Sequence, residues 1–171
     1  MDIRVAQIKD AEAIRGIYNN EVTSGTATFD ITPRTLQEQR DWLTERSGAH
    51  VVLVAEYGNE IIGFGSLSRY QTRPAYSTTV ENSVYVRPED QGKGVGLALL
   101  VALMKRHPSM DFIQSLQESA QNQRFNSYSP KAGFKEVGRE LQTGRKFGRW
   151  LDVVVCNGSL RVATQTKDSR I

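Results

Sequence analysis

Cysteine, histidine and long apolar runs are scarce in this sequence, and each shortage excludes a class of protein. Its 171 residues contain one cysteine, Cys156, so an intrachain disulfide cannot form. The two histidines, His50 and His107, leave no spacing typical of a zinc site, and we expect no metal. No apolar run approaches the roughly 20 residues that span a bilayer, and the first ten residues lack a signal-peptide segment. We therefore expect a cytoplasmic protein with no membrane partner.

Charge of either sign is not concentrated along the chain. The formal net charge is +3, and 24% of the residues are charged. The lysines and arginines form no cluster interleaved with aromatic residues, as nucleic-acid binding would require, so we expect no nucleic-acid partner. The mild positive charge indicates a solvated surface or, alternatively, a local site for an anionic ligand.

The length of the chain fits one domain. A chain of 171 residues corresponds to one ordinary domain, and it buries roughly two-thirds of its unfolded surface when it folds. The segment after Asn157 is polar. We expect a single domain over residues 1–160 and a polar C-terminal tail over residues 161–171.

Hydrophobic periodicity and turn residues predict an alternation of strands and helices. Asp10 is predicted to cap the first helix, and Thr32 and Pro33 are predicted to supply the cap and first-turn proline of the second. Strands are predicted at 3–7, 50–57, 60–68, 79–87, 112–116, 134–141 and 150–156, and helices at 10–23, 32–46, 97–105 and 123–132. Three strands run together in the middle of this order. That order excludes a doubly wound fold and favours a mixed α/β (α+β) fold, with a sheet flanked by about four helices.

A glycine-rich loop stands between a strand and a helix in the middle of the chain. The strand ends at Arg87, and Gly92, Gly94 and Gly96 lead into the helix. Glycines let the backbone close on a ligand, and a helix N-terminus offers unpaired N–H groups and a positive dipole end. This arrangement suits a pyrophosphate, to which Lys93 could add a charge. The alternative is a plain strand-to-helix turn, and the spacing fits neither the Walker pattern nor the dinucleotide pattern.

The loop is one of four segments that together resemble a known family. In chain order they are IYNNEVTSGTATFDITPRT, RPAYSTTVENSVYV, QGKGVG and GRKFGRWLDVVV. These segments resemble the phosphinothricin and methionine sulfoximine acetyltransferases of the GNAT superfamily, and the resemblance covers roughly residues 2–160. It implies a GNAT-like, mostly antiparallel central sheet, acetyl-CoA as co-substrate, a small amino-acid-like amine as acceptor, and a homodimer.

The resemblance also implies where the coenzyme binds. Backbone groups of one strand should pair with the pantetheine arm, and an N–H there should polarise the thioester carbonyl. The coenzyme residues implied in this way are Val84, Tyr85, Val86, Gln91, Gly92, Lys93, Gly94, Val95, Gly96 and Asn122.

A glutamate in the strand before the loop is the candidate base. Alternation places Glu81, Ser83 and Tyr85 on one face of that strand, and Val80, Asn82, Val84 and Val86 on the other. A carboxylate is costly to bury in such a strand. The acceptor amine must lose a proton before it attacks, and Glu81 matches the position of the family's general base. The alternative is a half-exposed or salt-bridged glutamate.

Three further residues match family positions near the acceptor. Arg73 could hold a carboxylate in a two-pronged grip, and Tyr76 and Phe29 could line the slot. Alternatively, Arg73 is a solvated loop charge and Phe29 packs in the core. Cys156 lies outside every motif, and we interpret it as a packing residue.

The sequence departs from the family at one catalytic position. Where the family usually has Leu-His, this chain has Tyr128 and Ser129, followed by Pro130. Tyr128, Ser129 or no residue would therefore protonate the leaving thiolate, which with a pKa near 8.5 is a tolerable leaving group. Two other functions stay open. One is acetylation of another amine, such as a polyamine, an aminoglycoside or a peptide N-terminus, and the other is non-catalytic acyl-CoA binding.

Overall fold

The computed structural model describes residues 1–46, 48–118 and 129–159, which form seven strands and three α-helices. The strands are β1 (Asp2–Val5), β2 (Val52–Tyr57), β3 (Glu60–Arg69), β4 (Thr79–Val86), β5 (Asp111–Glu118), β6 (Lys135–Lys146) and β7 (Arg149–Ser159). The helices are α1 (Ala11–Ser24), α2 (Leu36–Thr44) and α3 (Val95–Arg106). The strands form one sheet in the order β1-β2-β3-β4-β5-β7-β6, in which only the β4–β5 pair is parallel. The predicted mixed, mostly antiparallel fold is confirmed.

The start of the second helix and the side-chain cap of the first differ from the prediction, because side chains form different hydrogen bonds from those expected; the first helix does begin directly after Asp10. The second helix begins after Thr35, not at Thr32-Pro33, since Thr35 and Glu38 form a reciprocal capping box. The Asp10 side chain makes no cap hydrogen bond to α1. Instead its carboxylate accepts from the Gln7 N–H and from Arg4, which closes the short 3-10 turn before the helix.

The C-terminal part of the chain differs from the prediction in two further ways. Strands β6 and β7 extend to a two-residue turn at Phe147 and Gly148, because a bulge at Gln142 lets pairing continue beyond it. Of the helix predicted at 123–132, residues 123–128 lie outside the described residues. Pro130–Ala132 form a single 3-10 turn, which suits a proline in the first turn.

The sheet carries one hydrophobic cluster on each face. Helices α1 and α2 cover one face, where Ile14, Tyr18 and Phe64 are buried. Helix α3 covers the other face, where it packs closely against β3. Gly65 permits this approach, because a Cβ there would lie 2.9 Å from Cδ1 of Leu103. No helix in the described residues is long and apolar enough to cross a membrane.

Strands β4 and β5 pair briefly and then separate. Their parallel register covers only Thr79–Glu81 against Asp111–Ile113. Beyond that point β4 continues along β3, whereas β5 continues along β7. Over residues 82–86 the edge of β4 that faces β5 has no strand partner within the described part of the chain. Backbone N–H and C=O groups on such an edge are available to a ligand that pairs like a strand.

Candidate active site

The glycine-rich loop forms an open cradle at the end of β4. Gly92 and Gly94 have φ angles of 77° and 85°, in the region that favours glycine. Gly94 is the N-cap of α3, so the first backbone N–H groups of the helix have no acceptor within it. A Cβ at either glycine would meet no atom within 4 Å. The cradle therefore offers space, N–H donors and a positive dipole end to an anion.

Asp90 fixes the loop to the end of β4. Its carboxylate accepts from Lys93 Nζ at 2.9 Å and from Arg87 Nε at 2.7 Å. The bonds from Lys93 and Arg87 hold the pKa of Asp90 below its usual range. Gln91 Nε2 donates to the Val86 carbonyl at 3.2 Å. Lys93 is thus engaged by an aspartate, yet its side chain is 63% exposed beside the cradle.

Glu81 lies on the face of β4 that α1 and α2 cover. The observed burial alternates along β4 as predicted, with Val80, Asn82 and Val84 buried on the opposite face. Glu81 is half-buried, and no hydrogen bond or ion pair to its carboxylate occurs in the described residues. The salt-bridged alternative for Glu81 therefore finds no support there, and the carboxylate is free to accept a proton.

Aromatic rings form the wall of the site beyond Glu81. Tyr85 stacks on Phe64 with ring centroids 5.1 Å apart, and Tyr18 meets Tyr85 edge-on at 5.2 Å. The Tyr18 hydroxyl donates to Asp30 at 2.5 Å and lies 3.2 Å from the Thr28 hydroxyl. Burial raises the pKa of Tyr85 well above its usual value, so its hydroxyl stays neutral at physiological pH.

The C-terminal hairpin holds the loop that carries Phe29. Lys146 is 2% exposed, and its ammonium donates to the carbonyls of Thr28 at 2.8 Å and Glu21 at 3.0 Å. The Phe29 ring lies directly on Gly144, where a side chain would overlap it. The GRKFG segment thus positions the TATF loop.

Arg46 is a further candidate site residue, which the sequence did not indicate. Its Nη1 donates to the Leu67 carbonyl at 2.7 Å and lies 3.1 Å from the Ser68 hydroxyl. Ser68 is directly opposite Glu81 in the β3–β4 register. The guanidinium also stacks on Trp42 at 4.0 Å. Burial lowers the pKa of Arg46 to about 10, so it remains a cation near Glu81 at neutral pH.

Arg73 and Tyr76 lie in the connection that leads into β4. Pro74–Tyr76 form a 3-10 turn, closed by a 3.0 Å bond from the Tyr76 N–H to the Arg73 carbonyl. The Tyr76 ring meets Tyr70 edge-on and is 40% exposed. Arg73 is exposed, and its guanidinium has no ion pair within the described residues. Both side chains are therefore available to an acceptor near the start of β4.

Of the two candidate proton donors, Ser129 lies among the described residues and Tyr128 does not. Ser129 is 1% exposed, and its carbonyl accepts from the N–H groups of Ala132 and Phe134. This places it beside the hydrophobic cluster on the α3 face of the sheet. Tyr128 and Asn122 lie outside the described residues, so their predicted roles stay predictions.

Comparisons with known proteins show the family to which the chain belongs. The acetyltransferase (GNAT) family matches residues 14–134. Phosphinothricin N-acetyltransferase of Streptomyces coelicolor is 34% identical, over 90% of this chain and 92% of that protein. An L-methionine sulfoximine/L-methionine sulfone acetyltransferase of Pseudomonas paraeruginosa is 32% identical, over 88% and 90%. The chain belongs to the GNAT acetyltransferase family.

A solved structure gives the same fold with the coenzyme bound. It is a GNAT superfamily phosphinothricin acetyltransferase from Sinorhizobium meliloti in complex with acetyl-CoA. The TM-score is 0.88 at 30% identity, over 99% of this chain and 93% of that one.

Proposed function

We propose that this protein transfers the acetyl group of acetyl-CoA to the amine of a small amino-acid-like acceptor. The observation that carries the proposal is the order of three features along β4 and just beyond it. Glu81 lies at its start, an unpaired edge follows from residue 82 to 86, and the anion cradle lies beyond its end. A thioester arm along the edge would join a pyrophosphate in the cradle to a reacting end near Glu81.

The residues of the cradle and the edge fit a coenzyme of this kind. Gln91–Gly96 and the first turn of α3 would hold the pyrophosphate with backbone N–H groups and the helix dipole. Backbone groups of Val84 and Val86 would pair with the pantetheine arm, whereas Tyr85, which the resemblance also implied, turns its N–H and C=O toward β3. Gln91 already occupies the Val86 carbonyl, so at Val86 the N–H is the more available partner. When bound, the coenzyme supplies an activated acetyl group.

Glu81 would take the proton that the amine loses. An amine like that of lysine is mostly protonated at pH 7 and attacks only in its neutral form. The half-buried carboxylate has no competing partner among the described residues, so it is available for this transfer, directly or through water. Its presence favours an enzyme over a module that only binds acyl-CoA.

The acceptor is proposed to be an α-amino acid with a tetrahedral polar group in its side chain. The names of the relatives from Streptomyces coelicolor and Pseudomonas paraeruginosa give acceptors of this kind. Arg73 would hold an anionic or polar end, and Tyr76 and Phe29 would line the slot. By holding the amine next to the thioester, these residues make the attack an effectively unimolecular step instead of a collision between two free molecules.

The remaining sequence predictions stay proposals. The continuous sheet and its two clusters support one domain over residues 1–160, with residues 161–171 as a tail. A homodimer is supported by apolar side chains exposed on β6 and β7, namely Val137, Leu141 and Trp150. The leaving thiolate would be protonated by Ser129, which is buried on the α3 face, by Tyr128, or by no residue and hence by water. The cytoplasmic location rests on the sequence alone.

The test is a thiol-release assay with acetyl-CoA and a panel of amines. We expect turnover of methionine sulfone and methionine sulfoximine, and much poorer turnover of methionine, which lacks the sulfur oxygens. Arg73→Ala should raise KM for the sulfone strongly and leave the Kd for acetyl-CoA unchanged, whereas Arg40→Ala, at an exposed position on α2, should change neither. Thiol release with a polyamine or a peptide N-terminus, but not with the sulfone-type amino acids, would refute the proposed acceptor.

A further inference from the structure

The side chain of Asn82 is buried where β4 and β5 separate. The residue is 2% exposed, and neither Oδ1 nor Nδ2 has a hydrogen-bond partner among the described residues. A buried donor or acceptor without a partner destabilises a fold, and an apolar side chain of similar shape would not. An unsatisfied group of this kind in a native structure requires an explanation, and a functional role is one.

The position of Asn82 relative to the split is fixed by the strand register. The last pair between the two strands joins Glu81 to Ile113, and Asn82 is the next residue of β4. It stands opposite Leu67 of β3, on the face that carries Val80 and Val84. Helix α3 and Phe134 pack on that same face. Asn82 and Glu81 are thus neighbours in sequence that point to opposite faces of the sheet.

We propose that Asn82 donates a hydrogen bond from Nδ2 to the coenzyme sulfur as the thiolate leaves. This inference rests on the proposed function and deepens it. Glu81 first passes the ammonium proton of the acceptor to solvent; the neutral amine then approaches from the Glu81 face and bonds to the acetyl carbon, losing its second proton to Glu81. The carbon–sulfur bond breaks with its electron pair left on the sulfur, which then takes a proton from water, while Glu81 returns its proton to solvent.

A carboxamide suits this position because it donates a hydrogen bond without titrating. The thiol has an ordinary pKa near 8.5, so a thiolate at pH 7 gains from any donor that favours its charged form. Hydrogen bonds to charged groups are stronger than neutral ones. Asn82 would therefore stabilise the leaving group in a chain that has Ser129 where the family it resembles has histidine.

The test compares the binding of coenzyme A with that of desulfo-coenzyme A, in which hydrogen replaces the thiol. Calorimetry on the wild-type protein should show about two- to tenfold tighter binding of coenzyme A at pH 7. The preference for coenzyme A over the desulfo analogue should grow above pH 8.5, where the thiol ionises. In Asn82→Leu the two ligands should bind equally, with little change in the Kd for the desulfo analogue. The kcat should fall about ten- to a hundredfold.

The melting temperature separates this role from a structural one. Asn82→Leu should raise Tm by about 2–4 °C, because it removes the unsatisfied amide. Should leucine be too large for the site, Asn82→Ala should lose the same ligand preference. Val80→Ala, at an equally buried position on the same face, should lower Tm and keep the preference.

Three results would overturn the inference, and they differ in whether they also refute the proposed function. An unchanged preference in both Asn82 variants would refute the contact with sulfur while leaving the coenzyme site intact. Equal weakening of both ligands would assign Asn82 to another part of the coenzyme. Failure of wild-type protein to bind either ligand would refute the proposed function together with this inference.

Discussion

On the α1–α2 face of β4, the polar groups around the site hold one another in place. Tyr18 is bonded to Asp30 and Thr28, and Arg46 is bonded to the backbone and side chain of β3. On the α3 face the neighbours are apolar, and the carboxamide of Asn82 is left without a described partner. One face is a wall of bonded polar groups in which Arg46 Nε still lacks a partner among the described residues, and the other is an apolar core that contains the unpartnered amide of Asn82.

The difference between its two faces indicates how β4 can serve two substrates. The polar face suits an acceptor that brings its own charges, because fixed partners keep the wall ordered before binding. The apolar face suits the leaving thiol, because a donor in a dry environment acts strongly on a developing charge. If the two faces and the cradle act separately, substitutions should impair turnover, acetyl-CoA binding and acceptor binding independently.

The largest effect is expected at the base. Glu81→Gln preserves shape but removes basicity, and we expect turnover at pH 7 to fall by about two to four orders of magnitude. Partial recovery is expected at high pH, where the amine deprotonates without help. The measurement is a pH–rate profile, with Glu136→Gln, an exposed carboxylate on β6, as the control. Wild-type turnover with an unaltered profile would remove Glu81 from the mechanism.

The second effect concerns the cradle. Gly94→Glu should weaken acetyl-CoA binding about ten- to a hundredfold, since it places a carboxylate and a side chain in the space for phosphate. Calorimetry checks this. Gly48→Glu is the matched control, because Gly48 also has a positive φ and open space around it but lies outside the cradle. Unchanged affinity in the Gly94 variant would show that the site is elsewhere.

The third effect concerns the acceptor slot alone. Gly144→Ala should displace the Phe29 ring and raise KM for the acceptor by about three- to thirtyfold, while the Kd for acetyl-CoA stays constant. Gly138→Ala on the same strand meets open space and should change neither constant. Equal effects of the two variants in steady-state kinetics would mean that Phe29 does not shape the acceptor slot.

The smallest effect lies outside the site and concerns stability. Burial alone would raise the pKa of Asp10, but hydrogen bonds from Arg4 and from the Gln7 N–H outweigh it and hold the pKa below normal. A lowered folded-state pKa stabilises the protein above the unfolded pKa near 4, and this contribution is lost as pH falls through the folded value. Arg4→Met should therefore lower Tm by about 3–6 °C at pH 7, and by progressively less below about pH 4.

The control for the stability prediction is a more exposed ion pair. Arg15 pairs with Glu12 within one turn of α1, and the Glu12 side chain is 61% exposed. Arg15→Met should change Tm only slightly at any pH. Thermal unfolding of both variants across pH 3–8 makes the comparison, and a pH-independent loss in Arg4→Met would contradict the assigned cause.

Features set by local pattern could be predicted from the sequence. The period-two alternation along β4 placed Glu81 and Asn82 on opposite faces, and the glycines at 92, 94 and 96 indicated a loop that leads into a helix. The Thr35–Glu38 capping box was also readable, but Pro33 favoured an earlier start.

Features that depend on long-range register could not be predicted. Arg46 matters because Ser68, its partner, lies opposite Glu81 across two strands. Asn82 matters because β4 and β5 separate just after Glu81, and no local signal in the sequence marks that point. Both residues became site candidates only when pairing and burial were known.

The central claim is that β4 brings both substrates together for direct transfer. Initial rates of thiol release, measured while acetyl-CoA and methionine sulfone are varied independently, test it most directly. The account predicts intersecting double-reciprocal lines, as for a ternary complex, and a product acetylated at the amine. Parallel lines would indicate an acetylated enzyme and would contradict the account.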